Sequence, residues 1–520
     1  MTFVPVKQAG AIGVNKDLSA PELPIGAWTD SLNIMFREGY AGQCFGYSEI
    51  YAAPTVIPYH VCPVTVAGGR KWIYAGAAKM YTADVVGGVV THTNITRQTA
   101  SVDVDYSASI NAWTSCLLAG VPILNNGVDA PQAWLLTGRA AILPAWPATV
   151  LCKSLRVYKN SLIAINITEG ATEYPYMIRW SNSADPGAVP SSWDYANAAV
   201  DAGRVDVSDS QGGQLVDGLA LRDSFMLYGK QSVFRMDYVG GAFIYRISKV
   251  LGGSGAMNKN CIVEIPGGFH LVLGADDIYL HDGTQPVSIL DKQTRRFFFA
   301  NLDAENIGRC FVFKNPWLNC VYICYPEAGK LFCNKALVYN YTDKTSSFLE
   351  MPNLNHAMNG AMNASVSQQI DSDNLPIDSD NTLINATDFT PDISRVMLAP
   401  NTLKLYQLDS TLTFDGTFIT SYMERRGLHF DAPNNIKMIS SIRPRIEGAV
   451  GSTIQVQVGS SDDPYSDPVY KNSVTFTIGE TVSVDCFVTG RYLAIKFVSG
   501  TAFGWRLDSY DIGVKVAGYW

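Results

Sequence analysis

Residues 215–247 read LVDGLALRDSFMLYGKQSVFRMDYVGGAFIYRI, and residues 261–287 read CIVEIPGGFHLVLGADDIYLHDGTQPV. In both stretches an apolar run ends at a glycine, three residues follow, and an apolar–aromatic pair comes next. The two glycines, Gly229 and Gly274, lie 45 residues apart. A third copy, WIYAGAAKMYT at residues 72–82, carries Gly76 in the same place.

This pattern favours β-strands joined by tight turns. The runs are short, rich in Ile, Val, Tyr and Phe, and broken by Gly or Asp-Gly, which predicts strand, turn and strand. Helices would need apolar residues at three- and four-residue spacing over a longer window, and that spacing is absent from these stretches. A repeat of about 40–50 residues is typical of propeller blades, and unrelated hairpins in a large β protein are the alternative.

The C-terminal segment has a different style of strand. In STIQVQVGS, at residues 452–460, Ile454, Val456 and Val458 alternate with glutamines, as in a half-buried antiparallel strand. The runs SVTFTI, TVSVDCFV and RYLAIKFV continue this style, which predicts a small sandwich. The predicted fold class is therefore all-β, a β-propeller with an additional C-terminal β-sandwich, or platform, domain.

Three segments follow from these patterns. Residues 1–50 are expected to form a strap whose strand closes the propeller or joins the platform, because closure removes exposed strand edges. Residues 51–420 are predicted to be the propeller, with insertions near 168–214 and 356–400. Residues 421–520 are predicted to be the sandwich.

The two insertions allow more than one interpretation. In the first, Trp180 and Trp193 are expected to pin an ordered excursion, and a carbohydrate platform made by the same two indoles is the alternative. The second carries the duplicated sequence IDSDN at 370–374 and 377–381. Leu375, Pro376 and Phe389 occupy positions where a calcium loop of the EF-hand type needs other residues, so a solvated loop is predicted.

Composition sets the limits on function. The 520 residues are 47% hydrophobic, enough for a sizeable core, and no apolar run approaches the length of a membrane span. The first residues lack the pattern of a signal peptide. Ten scattered cysteines predict buried free thiols. A net charge of −8 argues against a protein that grips nucleic acid, although an acidic wall suits DNA that slides past.

No catalytic constellation stands out. The sequence lacks a G-x-S-x-G elbow, a P-loop, an H-E-x-x-H motif and paired C-x-x-C motifs. Its histidines are spread along the chain. His270 and His281 could meet across a hairpin, but two ligands are too few for a metal site. Adjacent acids such as Asp276-Asp277 and Asp462-Asp463 read as turn formers. No catalytic, cofactor-binding or metal residue is predicted, no cofactor is expected, and the chain is expected not to be an enzyme.

Several stretches, taken in order, resemble one known family, the tail nozzle proteins of short-tailed bacteriophages, also called tail tubular or packaged-DNA stabilisation proteins. The similarity covers most of the chain, and each motif alone is weak. Where the family has Trp after the VYNY-like strand, this chain has Phe348. The matching stretches are LPIGAWTD (23–30), Asn33, FREG (36–39), NGVDAP (126–131), RWS (179–181), WD (193–194), ALVYNY (336–341), RPRIEG (443–448) and the strands from Arg491 to Trp520.

The resemblance implies a structural virion protein that is made in the host cytoplasm and forms the distal DNA conduit of the tail. It implies a homo-hexamer below the portal adaptor, in contact with tail fibres or spikes, with double-stranded DNA passing without specific binding and with no membrane span. Such a nozzle retains the packaged genome and releases it into the host. A receptor-binding or fibre-docking tail protein and a polysaccharide-cleaving propeller enzyme are the alternatives.

Overall fold

The computed structural model describes residues 2–16, 19–66, 69–86, 89–207, 213–241, 243–362, 394–501 and 503–519. The fold is all-β, a β-propeller that carries a β-sandwich. Within these ranges one α-helix and three short 3-10 helices interrupt the strands. The 3-10 helices span Ala20–Glu22, Ile307–Arg309 and Pro316–Leu318. The duplicated IDSDN stretches and the middle of the predicted 356–400 insertion lie outside the described residues.

The N-terminal strands serve both parts of the molecule. Four of them pair within the sandwich sheets, whereas the fifth pairs with β33 (Tyr406–Leu408) in the last propeller blade. The ring is therefore closed by a short strand that follows the FREG turn. These strands are β1 (Thr2–Val6), β2 (Asp30–Leu32), β3 (Ile34–Arg37), β4 (Tyr40–Gln43) and β5 (Tyr47–Glu49).

Five antiparallel sheets of four strands each form the first five blades. A two-stranded ribbon lies between the first blade and the second. In chain order the strands are β6 (His60–Val66), β7 (Gly69–Ala75), β8 (Met80–Val86), β9 (Val89–Asn94), β10 (Gln98–Thr99), β11 (Val102–Asp103), β12 (Thr114–Leu118), β13 (Val121–Asn125), β14 (Gln132–Ala133), β15 (Ala141–Ile142), β16 (Val150–Tyr158), β17 (Ser161–Glu169), β18 (Thr172–Trp180), β19 (Gly203–Asp206), β20 (Leu215–Leu221), β21 (Ser224–Gly229), β22 (Ser232–Tyr238), β23 (Tyr245–Gly252), β24 (Ile262–Ile265), β25 (Phe269–Leu273), β26 (Ile278–His281) and β27 (Pro286–Ser288).

The predicted repeat is confirmed by these blades. Gly229, Gly274 and Gly76 each end the second strand of a blade or follow it directly, and the apolar–aromatic pair begins or lies near the start of the third strand. The backbone N–H of Gly274 donates to the carbonyl of Asp277, and that of Gly76 donates to the carbonyl of Lys79. The repeated glycine therefore marks the same turn in different blades.

A nine-stranded sheet supplies two more blades. The long strand β31 pairs with β30 in its first part and, from Leu354 onward, with β32, which leads through β33 to β5. Seven blades can thus be counted in the described residues. The elements are α1 (Lys292–Ala300), β28 (Phe311–Asn315), β29 (Cys320–Tyr325), β30 (Cys333–Asn340), β31 (Thr345–Ala361), β32 (Ser394–Pro400), β33 (Tyr406–Leu408), β34 (Thr413–Phe414) and β35 (Thr417–Phe418).

The sandwich consists of two six-stranded sheets. One has the order β3-β4-β43-β37-β41 with β1 on β43, and the other has the order β2-β36-β42-β38-β39 with β40 on β38. Ile454, Val456 and Val458 are buried between the sheets, as the alternation predicts. The remaining strands are β36 (Ser421–Leu428), β37 (Asn435–Gly448), β38 (Thr453–Ser461), β39 (Val469–Tyr470), β40 (Val474–Thr477), β41 (Val484–Gly490), β42 (Tyr492–Ser499) and β43 (Trp505–Tyr519).

Propeller and sandwich share one apolar core. Leu337 and Phe348 of the sixth blade and Phe298 of α1 belong to the same buried cluster as Ile439 and Ile495 of the sandwich. The helix begins at Asp291, whose carboxylate accepts hydrogen bonds from two N–H groups of the first turn. Because the core is continuous, the two parts are expected to move as one body.

Candidate functional site

His270 and His281 meet across the β25–β26 hairpin, as the sequence suggested, and a buried tyrosine joins them. The Tyr228 hydroxyl lies 2.6 Å from Nδ1 of His270 and 2.6 Å from Nε2 of His281. Nε2 of His270 donates to the carbonyl of Ala220, and Nδ1 of His281 accepts from the backbone of Gly283. These outer bonds fix both tautomers, so His281 donates to the hydroxyl and the hydroxyl donates to His270.

The cluster is a neutral structural network. Burial lowers the pKa of His270 to about 3 and that of His281 to about 4, and it raises the pKa of Tyr228 well above its usual value. Every ring nitrogen has a hydrogen-bond partner. In the described residues no group of three or more His, Cys, Asp or Glu side chains is placed to hold a metal ion.

We expect Tyr228→Phe to destabilise the fold by about 2–4 kcal/mol, because it leaves a donor and an acceptor buried without partners. Tyr238→Phe, which removes the hydroxyl of a half-exposed tyrosine in the same blade, is the control. Thermal unfolding of both variants measures the difference. Equal unfolding midpoints for the two variants would contradict the proposed network.

Two other histidines meet at the propeller channel, although 296 residues separate them in the sequence. The ring centroids of His60 and His356 are 4.0 Å apart, and both rings are buried. His60 shares a hydrogen bond of 2.8 Å with the Ser115 hydroxyl. Burial lowers the pKa of both rings, that of His356 to about 3, and the nearby charge of Arg156 lowers both further.

An ion pair between neighbouring blades forms the floor of the channel. Nε and Nη2 of Arg156 donate to the two carboxylate oxygens of Asp217 at 2.7 and 2.6 Å. The carboxylate also accepts from the Ser154 hydroxyl and from the backbone N–H groups of Gly218 and Asn260. Burial alone would raise the pKa of Asp217, but the Arg156 charge and these hydrogen bonds hold it below its usual value.

Sequence reasoning missed these channel residues. They lie on, or just before, the innermost strands of several different blades, so no local spacing brings them together. A usable signal exists in SLRVY and LVDGLAL, where Arg156 and Asp217 are lone charges inside apolar runs. Charges in such positions are rarely buried without a partner.

The structure assigns packing roles to the other candidates. Trp180 and Trp193 are only 9% and 1% exposed, so they pin the excursion and offer no carbohydrate platform. All ten cysteines are free, and nine are buried, as predicted. Asp277 caps its turn and pairs with Arg295, and Asp463 accepts from the backbone of Tyr465, which confirms both as turn formers.

Motifs of the family resemblance meet where the propeller joins the sandwich. Asn33 is buried in the left-handed backbone region, at φ 56°. Its amide nitrogen donates to the Glu350 carboxylate and to the carbonyl of Thr420, and its side-chain oxygen accepts from the Glu350 backbone. The Glu38 backbone donates to Asp343, in the turn after the VYNY strand.

The other motifs lie elsewhere. Trp28 packs against Phe497 and Tyr510 in the sandwich. RPRIEG pairs with the C-terminal strand from Asp511 to Trp505. NGVDAP forms a turn in the second blade, where the Asn126 side chain accepts from two backbone N–H groups. These are framework positions, and none of them presents a reactive group.

In the ranges that the structure describes, no helix is long and apolar enough to cross a membrane. No family model matches the sequence, and no curated protein matches it either. Solved structures do match. A fungal alcohol oxidase of the AA5 family, in complex with copper, is 9% identical over 90% of this chain and 93% of that chain, with a TM-score of 0.38.

Two further matches are also enzymes. The exo-β-1,3-galactanase of Phanerochaete chrysosporium, with galactose, is 9% identical over 91% of this chain and 100% of that chain, with a TM-score of 0.25. The dihydro-heme d1 dehydrogenase NirN is 12% identical, with a TM-score of 0.33. That match spans 58% of each chain.

These matches contradict the prediction that the chain is not an enzyme, because an oxidase, a galactanase and a dehydrogenase stand among them. We therefore withdraw that prediction. At 9–12% identity the activities of those enzymes are not assigned to this chain. The comparisons concern the all-β fold and assign the chain to no family.

Proposed function

We propose that this chain is a structural protein of a bacteriophage virion, the tail nozzle that forms the distal DNA conduit. In this proposal it assembles as a homo-hexamer, contacts the portal adaptor and the tail fibres or spikes, and retains the packaged genome until release. Double-stranded DNA passes through the ring without specific binding, which suits the net charge of −8.

The observation that carries the proposal is the junction at Asn33. Three of the stretches that resemble nozzle proteins, around residues 33, 38 and 340, come together there, and they tie the sixth blade to the sandwich. A conduit under the pressure of packaged DNA needs modules that do not separate. The buried Asn33 contacts and the shared core provide that rigidity.

The sandwich also presents a surface suited to self-association. Strand β41 is hydrogen-bonded to β37 on one side only, so its other edge is free of strand partners in the described residues. Phe487 in this strand is 68% exposed, and Val482, two residues before the strand, is 80% exposed. Exposed apolar groups at an unpaired edge favour contact with another chain.

The direct test is gold-labelled antibody microscopy of the particle that carries the chain. Label on the tail axis at the distal end supports the nozzle. Label at the tail periphery overturns it in favour of a receptor-binding or fibre-docking protein. If an accessible epitope gives no label on intact particles, the virion role is wrong, and assays of glycan hydrolysis become the next step.

If β41 lies at the subunit contact, Phe487→Asp should prevent ring assembly, because it places a charge in a desolvated interface. The control is Val287→Asp, which changes a 64% exposed residue on the outer strand of the fifth blade. Native mass spectrometry of both variants gives the oligomeric state. If Phe487→Asp assembles into rings like those of the control, β41 does not lie at the subunit interface.

A further inference from the structure

A cavity of about 420 Å³ lies in the propeller channel above the Arg156–Asp217 pair. All seven innermost strands line it. His60, Asp217 and His356 are buried at its floor, whereas Glu264 is exposed and Lys314 is partly exposed, which places the mouth at that side. Volumes of this size are typical of sites for small organic molecules.

The cavity wall is largely apolar. Leu219, Val263, Phe313 and Met358 line it on four different blades. A ligand in this cavity would bury apolar surface against these side chains, and this burial favours binding by about 25 cal/mol per Å² of apolar area removed from water. The wall therefore suits a molecule with an apolar body.

Polar atoms of the cavity without a hydrogen-bond partner in the described residues include Nδ1 of His60, Nε2 of His356 and the Lys314 ammonium. Nδ1 of His356 accepts from the backbone of Val61, so the neutral ring carries its hydrogen on Nε2. His356 is 6% exposed, and within the described residues its Nε2 has no partner. The Lys314 ammonium also has no ion-pair or hydrogen-bond partner there. An unpartnered buried donor is costly unless a ligand or water satisfies it.

The acceptors at the floor are already occupied. Asp217 accepts five hydrogen bonds and neutralises Arg156, and only the exposed Glu264 adds another carboxylate at the mouth. Half-buried Lys259 lies close to the same pair and adds a positive charge behind the floor. Donors and positive charge therefore exceed free acceptors inside the cavity.

We propose that the channel cavity binds a small organic monocarboxylate, whose carboxylate is held between the donors of His356 and Lys314. Its apolar body lies against the wall formed by Leu219, Val263, Phe313 and Met358. A metal ion fits less well, because the free nitrogen of His356 carries a hydrogen. This site does not rest on the nozzle proposal, since the channel belongs to one chain.

Calorimetric titration of the full chain tests the site. The probes are linear and aromatic monocarboxylates of about four to ten carbons, each with its primary amide of the same shape. We expect at least one acid to bind at least about tenfold more tightly than its amide. Amides that bind as well as the acids, or no saturable binding of any acid up to about 10 mM, would overturn the proposal.

Three variants locate the binding. Lys314→Met keeps the length of the side chain. It should weaken binding of the acid by about tenfold and leave binding of the amide unchanged. Met358→Trp should fill the cavity and abolish binding of both probes. Lys471→Met, an exposed lysine of the sandwich, is the matched control and should bind like the parent chain. Unchanged binding by both channel variants, with folding checked by circular dichroism, would place the acid elsewhere.

Discussion

Asp217→Ala is expected to lower the free energy of unfolding by about 3–5 kcal/mol. The substitution leaves the Arg156 guanidinium inside the channel floor without its counter-charge. It also removes the acceptor for the Ser154 hydroxyl and for the backbone N–H groups of Gly218 and Asn260. The substitution weakens the contact between three neighbouring blades, because Arg156, Asp217 and Asn260 belong to successive parts of the ring.

A double variant separates the contribution of the ion pair to the free energy of unfolding from the contribution of side-chain packing. Arg156→Met with Asp217→Ala should be less destabilised than the sum of the single changes, because no uncompensated charge remains. The matched control is Asp511→Ala, which breaks a pair with Arg445 on the exposed face of the sandwich. That loss is expected to stay below about 1 kcal/mol. Denaturant unfolding measures the parent chain, the two single channel variants, the double variant and Asp511→Ala, and similar losses for Asp217→Ala and Asp511→Ala would contradict the argument.

Mild acid should destabilise the protein strongly between pH 6.5 and about 4. Four buried histidines are neutral in the folded chain, and burial lowers their pKa, to about 3 for His270 and His356 and to about 4 for His281. His60 is shifted in the same direction. The unfolded chain takes up these protons near pH 6.5 and the folded chain does not, so stability is present above 6.5 and is lost as the pH falls.

The buried carboxyl group of Asp409 changes the stability in the opposite direction as the pH falls. Burial raises the pKa of Asp409 to about 7, so the folded chain keeps a proton that the unfolded chain releases above about 3.8. Asp409 therefore adds stability as the pH falls from 7, and it offsets one of the four histidines. The net difference of about three protons corresponds to about 4 kcal/mol per pH unit in the steepest part.

Unfolding midpoints measured at constant ionic strength across this range check the prediction. Asp409→Asn, an uncharged replacement of similar shape, should steepen the dependence because it removes the offset. His270→Gln should flatten it by removing one titrating group. A midpoint that stays constant from pH 6.5 to 5 would show that the histidines do not remain neutral in the folded chain.

The local pattern of the chain was readable in advance. The glycine turns at 76, 229 and 274 and the alternation at Ile454–Val458 fixed strands and hairpins, because both depend on neighbouring residues only. The turn-forming role of Asp277 and the contact between His270 and His281 were predictable for the same reason. A hairpin brings residues together at short sequence separation.

The remaining strand pairings and contacts depend on how the ring closes. Whether β31 would serve two blades, and which short strand would close the circle, depends on pairings between segments hundreds of residues apart. The sequence by itself determined the all-β class, the blade repeat and the second, alternating module, since these arise from backbone preferences and local burial. Only the tertiary structure brought His60 to His356, Arg156 to Asp217 and Asn33 to Glu350, because contacts between blades form when the ring closes.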